Sequence, residues 1–290
     1  MALKVQLSGH TTTLRLDVER LAYDTTARLV PDASYVRGRL VRIELDAIRF
    51  VEPFGLVFLY MYAEHLLQLG AEEVEIVIPR GDVGIYLQRM ELTDRLAKNP
   101  RIRIRQRQPL FAMRRNDLRY RLVELQVAHV DKDDEGEALA ERILDVMLQK
   151  HTKEMSASTE QLELTLVEMI GNVAVHSGRE EVILAAQTYQ NRVSIAIADV
   201  GIGIPARLRK SGIYTGGEDH VAIETALRPG VSTRVGGGGY GLTTLSAEVQ
   251  KNGHRLTIRS GKGQISLDRY RRARSDRLRP LPGTIVEVVW

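Results

Sequence analysis

The sequence predicts a protein of the α/β or α+β class built as two domains. Three observations carry this. Residues 1–107 alternate short strands with apolar helices. Residues 108–119 are polar and basic, with Arg114-Arg115-Asn116-Asp117, and read as a linker. Residues 120–290 hold a polar-faced helix, a strand hairpin, a glycine turn, a long glycine-containing loop, a second helix and three strands.

In the first domain, Lys4 to Leu7 and Thr11 to Leu16 form a strand pair about Ser8-Gly9, and Leu40 to Leu45 is a strand. Phe54 to Leu69 is a strongly apolar helix closed by Gly70, a residue suited to the left-handed position past a helix end. Glu73 to Ile78 is a strand, Val83 to Leu96 has helical spacing, and Arg101 to Arg105 is a short strand.

The chain has 290 residues and a net charge of +4, with 41 Lys+Arg against 37 Asp+Glu, a mild preference for anionic partners. It has no cysteine, which removes disulfides, thiolate metal sites and cysteine nucleophiles and permits a reducing compartment. The N-terminus lacks the apolar core and cleavage site of a signal peptide, and the apolar run Phe54 to Ala63 is too short to span a membrane. The expectation is a cytoplasmic protein. The basic stretches at 114–115 and at Arg271, Arg272 and Arg274 come without aromatic interleaving or a nucleic-acid motif, so solvated charge is the favoured reading.

In the second domain, Arg121 to Val130 is a strand and Glu137 to about Lys150 a helix. The next helix, from Leu162, carries Glu168, Asn172 and His176 at spacings of four, which places all three on one face. The hairpin Glu181 to Asp199 turns at Gln190-Asn191. In its second strand Val193, Ile195 and Ile197 share a face, and Asp199 falls on that same apolar parity, a costly place for an unpaired carboxylate. Gly201-Ile202-Gly203-Ile204-Pro205 follows as a turn that a ligand could approach closely. Pro205 to Val235 reads as a long loop, expected to act as a mobile lid. Gly236-Gly237-Gly238-Gly239-Tyr240-Gly241 leads into a helix with Leu242, Leu245 and Val249 on one stripe. Arg255 to Arg259, Gln264 to Leu267 and Thr284 to Val289 are strands, the last after Pro282-Gly283.

Three other sites are weighed against this pattern. Gly201-Ile202-Gly203-Ile204-Pro205-Ala206 fits the dinucleotide fingerprint, but 206–218 is too short for the helix and parallel strand that motif needs. No G-x-x-x-x-G-K-[ST] occurs, which excludes a P-loop. No two histidines lie within a helical turn of each other, which argues against zinc.

The order of Glu168 with Asn172, Asp199 with Gly201 and Gly203, the glycine run 236–241, and Gly283-Thr284 resembles the GHKL ATP-binding superfamily of gyrase, histidine kinases and anti-sigma-factor serine kinases, over about 120–290. The resemblance implies a Bergerat-type sandwich of mixed sheet and helices that binds ATP with Mg²⁺. Asp199 would accept from the exocyclic amine of adenine, and Thr284 would support it. Gly201 and Gly203 would let the backbone pass close to base and sugar. Asn172 would offer an oxygen to Mg²⁺, which keeps several waters. Gly237, Gly239 and Gly241 would present N–H groups to the phosphates. Glu168 would be the general base. Val175 stands where many members carry a basic residue, and Tyr240 where leucine is commoner.

The first domain resembles the STAS-like domains of bacterial anti-sigma-factor antagonists, in Ile43-Glu44-Leu45-Asp46, the turn Phe50-Val51-Glu52-Pro53-Phe54-Gly55 and the elements after it. Phosphorylated members carry a serine where Phe54 stands, so no phosphoswitch is expected, and the domain would act by packing, dimerising or sensing a partner. The function implied is Mg-ATP binding with ATPase or serine/threonine kinase activity in bacterial-type signalling or partner switching. A non-catalytic ATP-gated interaction module is the alternative. A histidine-kinase-like protein is the weakest, since none of the seven histidines precedes an acid at the head of a helical hairpin.

Overall fold

The structure is a computed structural model, and it describes residues 2–107, 122–129, 138, 140–145, 166, 169–170, 181–189, 192–231 and 241–290. The protein is of the α/β and α+β class. It divides into two compact units, Met1–Asp117 and Leu118–Trp290.

The first unit is built on a five-stranded sheet of β1 (Leu3–Ser8), β2 (Thr11–Leu16), β4 (Leu40–Glu44), β6 (Glu73–Ile78) and β7 (Ile102–Gln106), in that spatial order. Only the β1–β2 hairpin is antiparallel; β2, β4, β6 and β7 run parallel. Parallel neighbours need helical crossovers, and α1 (Pro53–Gln68) makes the one from β4 to β6. Most of its residues are buried, as its strongly apolar sequence requires. Pro53 opens it, where a missing N–H costs nothing. Gly70 closes it with φ 98°, and the Gly70 and Ala71 N–H groups take the Leu67 and Leu66 carbonyls. A short parallel pair, β3 (Arg20–Leu21) with β5 (Phe50–Val51), precedes α1. Phe54 lies in the first turn of α1, fully buried.

The stretch predicted as one helix over Val83 to Leu96 is two, α2 (Asp82–Arg89) and α3 (Leu92–Leu96), with Glu91 at φ 60° between them. Val83 and Leu87 form one apolar pair and Leu92 and Leu96 another, but Leu87 to Leu92 is a five-residue step. In a continuous helix that step would point the second pair away from the first. The break lets all four be buried.

The second unit is a seven-stranded sheet in the order β13 (Arg272–Ser275), β12 (Gly263–Leu267), β11 (Arg255–Gly261), β14 (Leu281–Val289), β10 (Val193–Asp199), β9 (Glu181–Thr188), β8 (Leu122–His129). Every adjacent pair of described strands is antiparallel, which corrects the mixed sheet that the resemblance implied.

An extended apolar cluster lies on one face of this sheet, while Ile183, Ala185, Ala196, Ala198 and Ile285 of the opposite parity are also buried. Val182, Leu184, Val193, Ile195, Ile197, Leu256, Ile258, Ile265, Val286 and Val288 point into the cluster, and helical Ala140, Ile143, Leu144, Leu166, Met169, Ile170, Leu245 and Val249 cover them. The long loop expected over 205–235 is also corrected over its described residues, 205–231. It contains α4 (Gly203–Lys210) and α5 (Asp219–Ala226), before α6 (Gly241–Asn252).

Candidate functional site

Three polar side chains line up at one end of the sheet, on the core-facing side of β10, β14 and β11. Asp199 ends β10 on the parity of Val193, Ile195 and Ile197. Thr284 is its register partner on β14, on the parity of Val286 and Val288. Ser260 is the register partner of Thr284 on β11, on the parity of Leu256 and Ile258. Register partners on one face have neighbouring Cβ atoms. All three are buried: Asp199 is 5% exposed, Thr284 7% and Ser260 0%.

Burial pushes the Asp199 carboxyl up to about 7, against hydrogen bonds from the Gly201 and Thr284 backbone N–H groups that pull it down. The Gly201 N–H donates to Oδ1 at 2.7 Å. Two amide donors hold a carboxylate without neutralising it, so the group stays poised near neutral pH. A buried acid of this kind is a functional-site candidate.

The turn after Asp199 is set by packing. Gly203 opens α4 at φ 76°, and a Cβ there would lie 2.6 Å from Ser260 Oγ and 2.8 Å from the Gly283 carbonyl oxygen. At Gly203 the backbone comes close to the protein's own β11 and β14. Gly283, at φ 73°, sits where a Cβ would overlap the Asp199 carbonyl oxygen. It belongs to a β-bulge, since Ser260 pairs with Thr284 but Gly261 with Leu281.

Helices α4 and α5 are tied down beside this end of the sheet. The buried Asp219 carboxylate accepts from Arg209 at 2.6 Å and from the Lys262 N–H at 2.7 Å, and Ile223 is in the core. The described part of the expected lid is thus an anchored helical pair. Arg272 and Arg274, read as a basic stretch, lie on β13 and reach Glu224 of α5 at 3.7 and 2.6 Å.

Of the residues singled out from sequence, the structure brings together Asp199, Gly201, Gly203 and Thr284. Gly241 is the first residue of α6, whose Leu245 and Val249 are buried against the sheet. Glu168, Asn172, His176, Gly237 and Gly239 lie outside the described residues. Ser260 and Gly283 complete the cluster. Ser260 was missed, although its signal equals that of Asp199: a polar residue on apolar strand parity, at a strand end.

One arrangement was not legible as a motif. Glu218, His220 and Asp276 bring one ligand-capable atom each to within 4.8 Å of one another. His220 Nε2 is 3.8 Å from Glu218 and Nδ1 is 3.7 Å from Asp276. Histidine spacing along the chain carries no trace of a trio whose last member lies just beyond β13. Comparison with protein-family models and with curated protein sequences finds no match to this chain.

Proposed function

We propose that the second unit binds ATP, with adenine read by Asp199 and Thr284 in the manner of the GHKL superfamily. The observation that carries the reading is the pairing of a buried carboxylate with a threonine on adjacent strand ends, beside the Gly201 turn. An ionised carboxylate accepts a hydrogen bond from an exocyclic amine. Adenine carries that amine, and guanine an oxo group in its place. Burial supports recognition because a hydrogen bond to a charged group strengthens away from water. It also makes the empty site costly for the carboxylate, which a donor ligand relieves.

The reading of the phosphate end rests on sequence order. Mg²⁺ would be held by the side-chain oxygen of Asn172 together with phosphate oxygens and water, and the phosphates would meet the N–H groups of Gly237, Gly239 and Gly241. When bound, Mg²⁺ would neutralise phosphate charge. Glu168 would orient or deprotonate a water or a substrate hydroxyl, one helical turn from Asn172. The reaction is ATP hydrolysis or phosphoryl transfer to a serine or threonine of a protein partner, in a signalling or partner-switching role. The first unit, with its STAS-like order of strands and helices, would carry the partner contact or dimer contact.

Incubating the purified full chain with γ-labelled ATP and Mg²⁺, while following released phosphate and labelled protein, separates these outlets. Glu168→Gln is expected to lower turnover by about 10²–10⁴ while keeping ATP affinity within a few fold. Asn172→Ala is expected to weaken Mg-dependent binding itself. A Gln variant that turns over at the wild-type rate would remove Glu168 as the base. A wild type that binds ATP without turnover would favour the gated interaction module.

A further inference from the structure

Ser260 is fully buried, and its hydroxyl meets three groups at once. The Ile204 N–H lies at 2.9 Å, the Gly283 carbonyl oxygen at 2.9 Å and the Thr284 hydroxyl at 3.0 Å. A serine hydroxyl has one proton and two lone pairs. Ile204 can only donate and the Gly283 carbonyl can only accept. The serine proton therefore goes to Gly283, one lone pair takes Ile204, and the place left for Thr284 is a lone pair. The Thr284 hydroxyl must then donate to Ser260. The reverse order would set two oxygens face to face at 2.9 Å with no proton between them. It would also take a donor away from the buried carbonyl of a bulge residue.

We propose that Ser260 fixes the polarity of the nucleotide site: by accepting the Thr284 proton it leaves Thr284 only lone pairs to offer, so that Asp199 and Thr284 together form an acceptor-only wall. Such a wall takes a purine nucleotide with an exocyclic amine and refuses one with an oxo group at that position. Ser260 acts through Thr284 and is a positioning residue. The inference rests on the ATP reading above and deepens it.

The test is calorimetric titration of the full chain with ATP and with inosine triphosphate, at pH 8 with Mg²⁺. The two ligands share ribose and phosphates; at C6 the amine becomes an oxo group, and the neighbouring ring N1 passes from acceptor to N–H donor. Wild type is expected to favour ATP by about tenfold or more, the worth of one hydrogen bond to a charged or buried partner. Ser260→Ala frees the Thr284 proton to turn outward and donate to the oxo group, so the ATP-to-inosine ratio is expected to fall toward the preference that Asp199 alone confers. A merely structural loss would weaken both ligands alike and leave the ratio unmoved. Thr284→Val, a substitution of similar shape, is expected to weaken ATP by about tenfold while leaving the inosine nucleotide within about twofold. It decides the matter by itself if Ser260→Ala fails to fold. A wild-type ratio in Ser260→Ala, or equal weakening of both ligands in Thr284→Val, would overturn the proposal and leave ATP binding standing. A wild type that binds neither nucleotide would remove the ATP reading beneath it.

Discussion

Asp199 is the residue on which the account turns, and its burial gives it two measurable signatures. Its ordinary value is 3.8 and the folded state holds it at about 7. The folded protein thus binds this proton more tightly than the unfolded chain. Stability from this group is full below about pH 4, falls as pH rises to about 7, and is level above that. At roughly 1.4 kcal/mol per unit, the span is on the order of 4 kcal/mol. Urea denaturation of wild type and Asp199→Asn is expected to diverge across that window, with the Asn variant the more stable at pH 8. Parallel curves from pH 4 to 8 would mean the carboxyl is not desolvated. The same variant is expected to weaken ATP by roughly 1.5–3 kcal/mol, the usual range for a hydrogen bond to a charged group. A gain in stability with a loss in affinity is the mark of a binding group rather than a structural one. At this scale the sequence was informative, because strand parity alone exposes a polar residue among Val193, Ile195 and Ile197. Applied to β11, the same parity rule would have marked Ser260.

Helices α4 and α5 show where an element escapes a reading by composition. Gly201, Gly203, Pro205, Gly212, Gly216 and Gly217 punctuate the stretch and suggest a loop. Yet Pro205 falls in the first turn of α4, where its absent N–H has no partner to lose. Arg207, Arg209 and Lys210 sit in its last turn, where positive charge suits the helix dipole. Long-range contacts, Asp219 with Arg209 and Lys262 and Ile223 in the core, hold the pair, and none of these is visible to a local window. Strand β13 was missed for the same reason: its arginines look like solvated charge until Glu224 is brought beside them. Amides of 203–210 and 219–226 are therefore expected to exchange slowly before any nucleotide is added. Exchange there at the rate of an unstructured peptide would contradict the anchored pair. Asp219→Ala is expected to cost roughly 2–3 kcal/mol in chemical denaturation, because it strips a charged acceptor from Arg209 and from a backbone N–H. It should also speed exchange across both helices. A change under about 0.5 kcal/mol would place Asp219 among ordinary surface carboxylates.

At the scale of the whole molecule, two compact units of different construction share one chain. The first has a mainly parallel sheet with helical crossovers, and the second an antiparallel sheet whose central strands are buried on both parities. The alternation of strands and helices made both units legible as α/β or α+β. Sheet direction was not legible, because apolar strands buried in either kind of sheet look alike in sequence. Among the described residues, no helix is long and apolar enough to cross a membrane. In the first unit Phe54 is fully buried and has no hydroxyl to modify, so mass spectrometry after incubation with Mg-ATP is expected to find no phosphate over 50–55. Phosphate on a neighbouring residue of that unit would restore a switch there. The central claim is that the second unit reads adenine with Asp199. Its most direct test is calorimetry of the full chain at pH 8 with Mg²⁺, titrating ATP, ADP and GTP. The account expects ATP and ADP to bind and GTP to bind at least about tenfold more weakly, with that preference lost in Asp199→Asn. Equal affinity for ATP and GTP, or an Asp199→Asn variant with an unchanged preference, would contradict it.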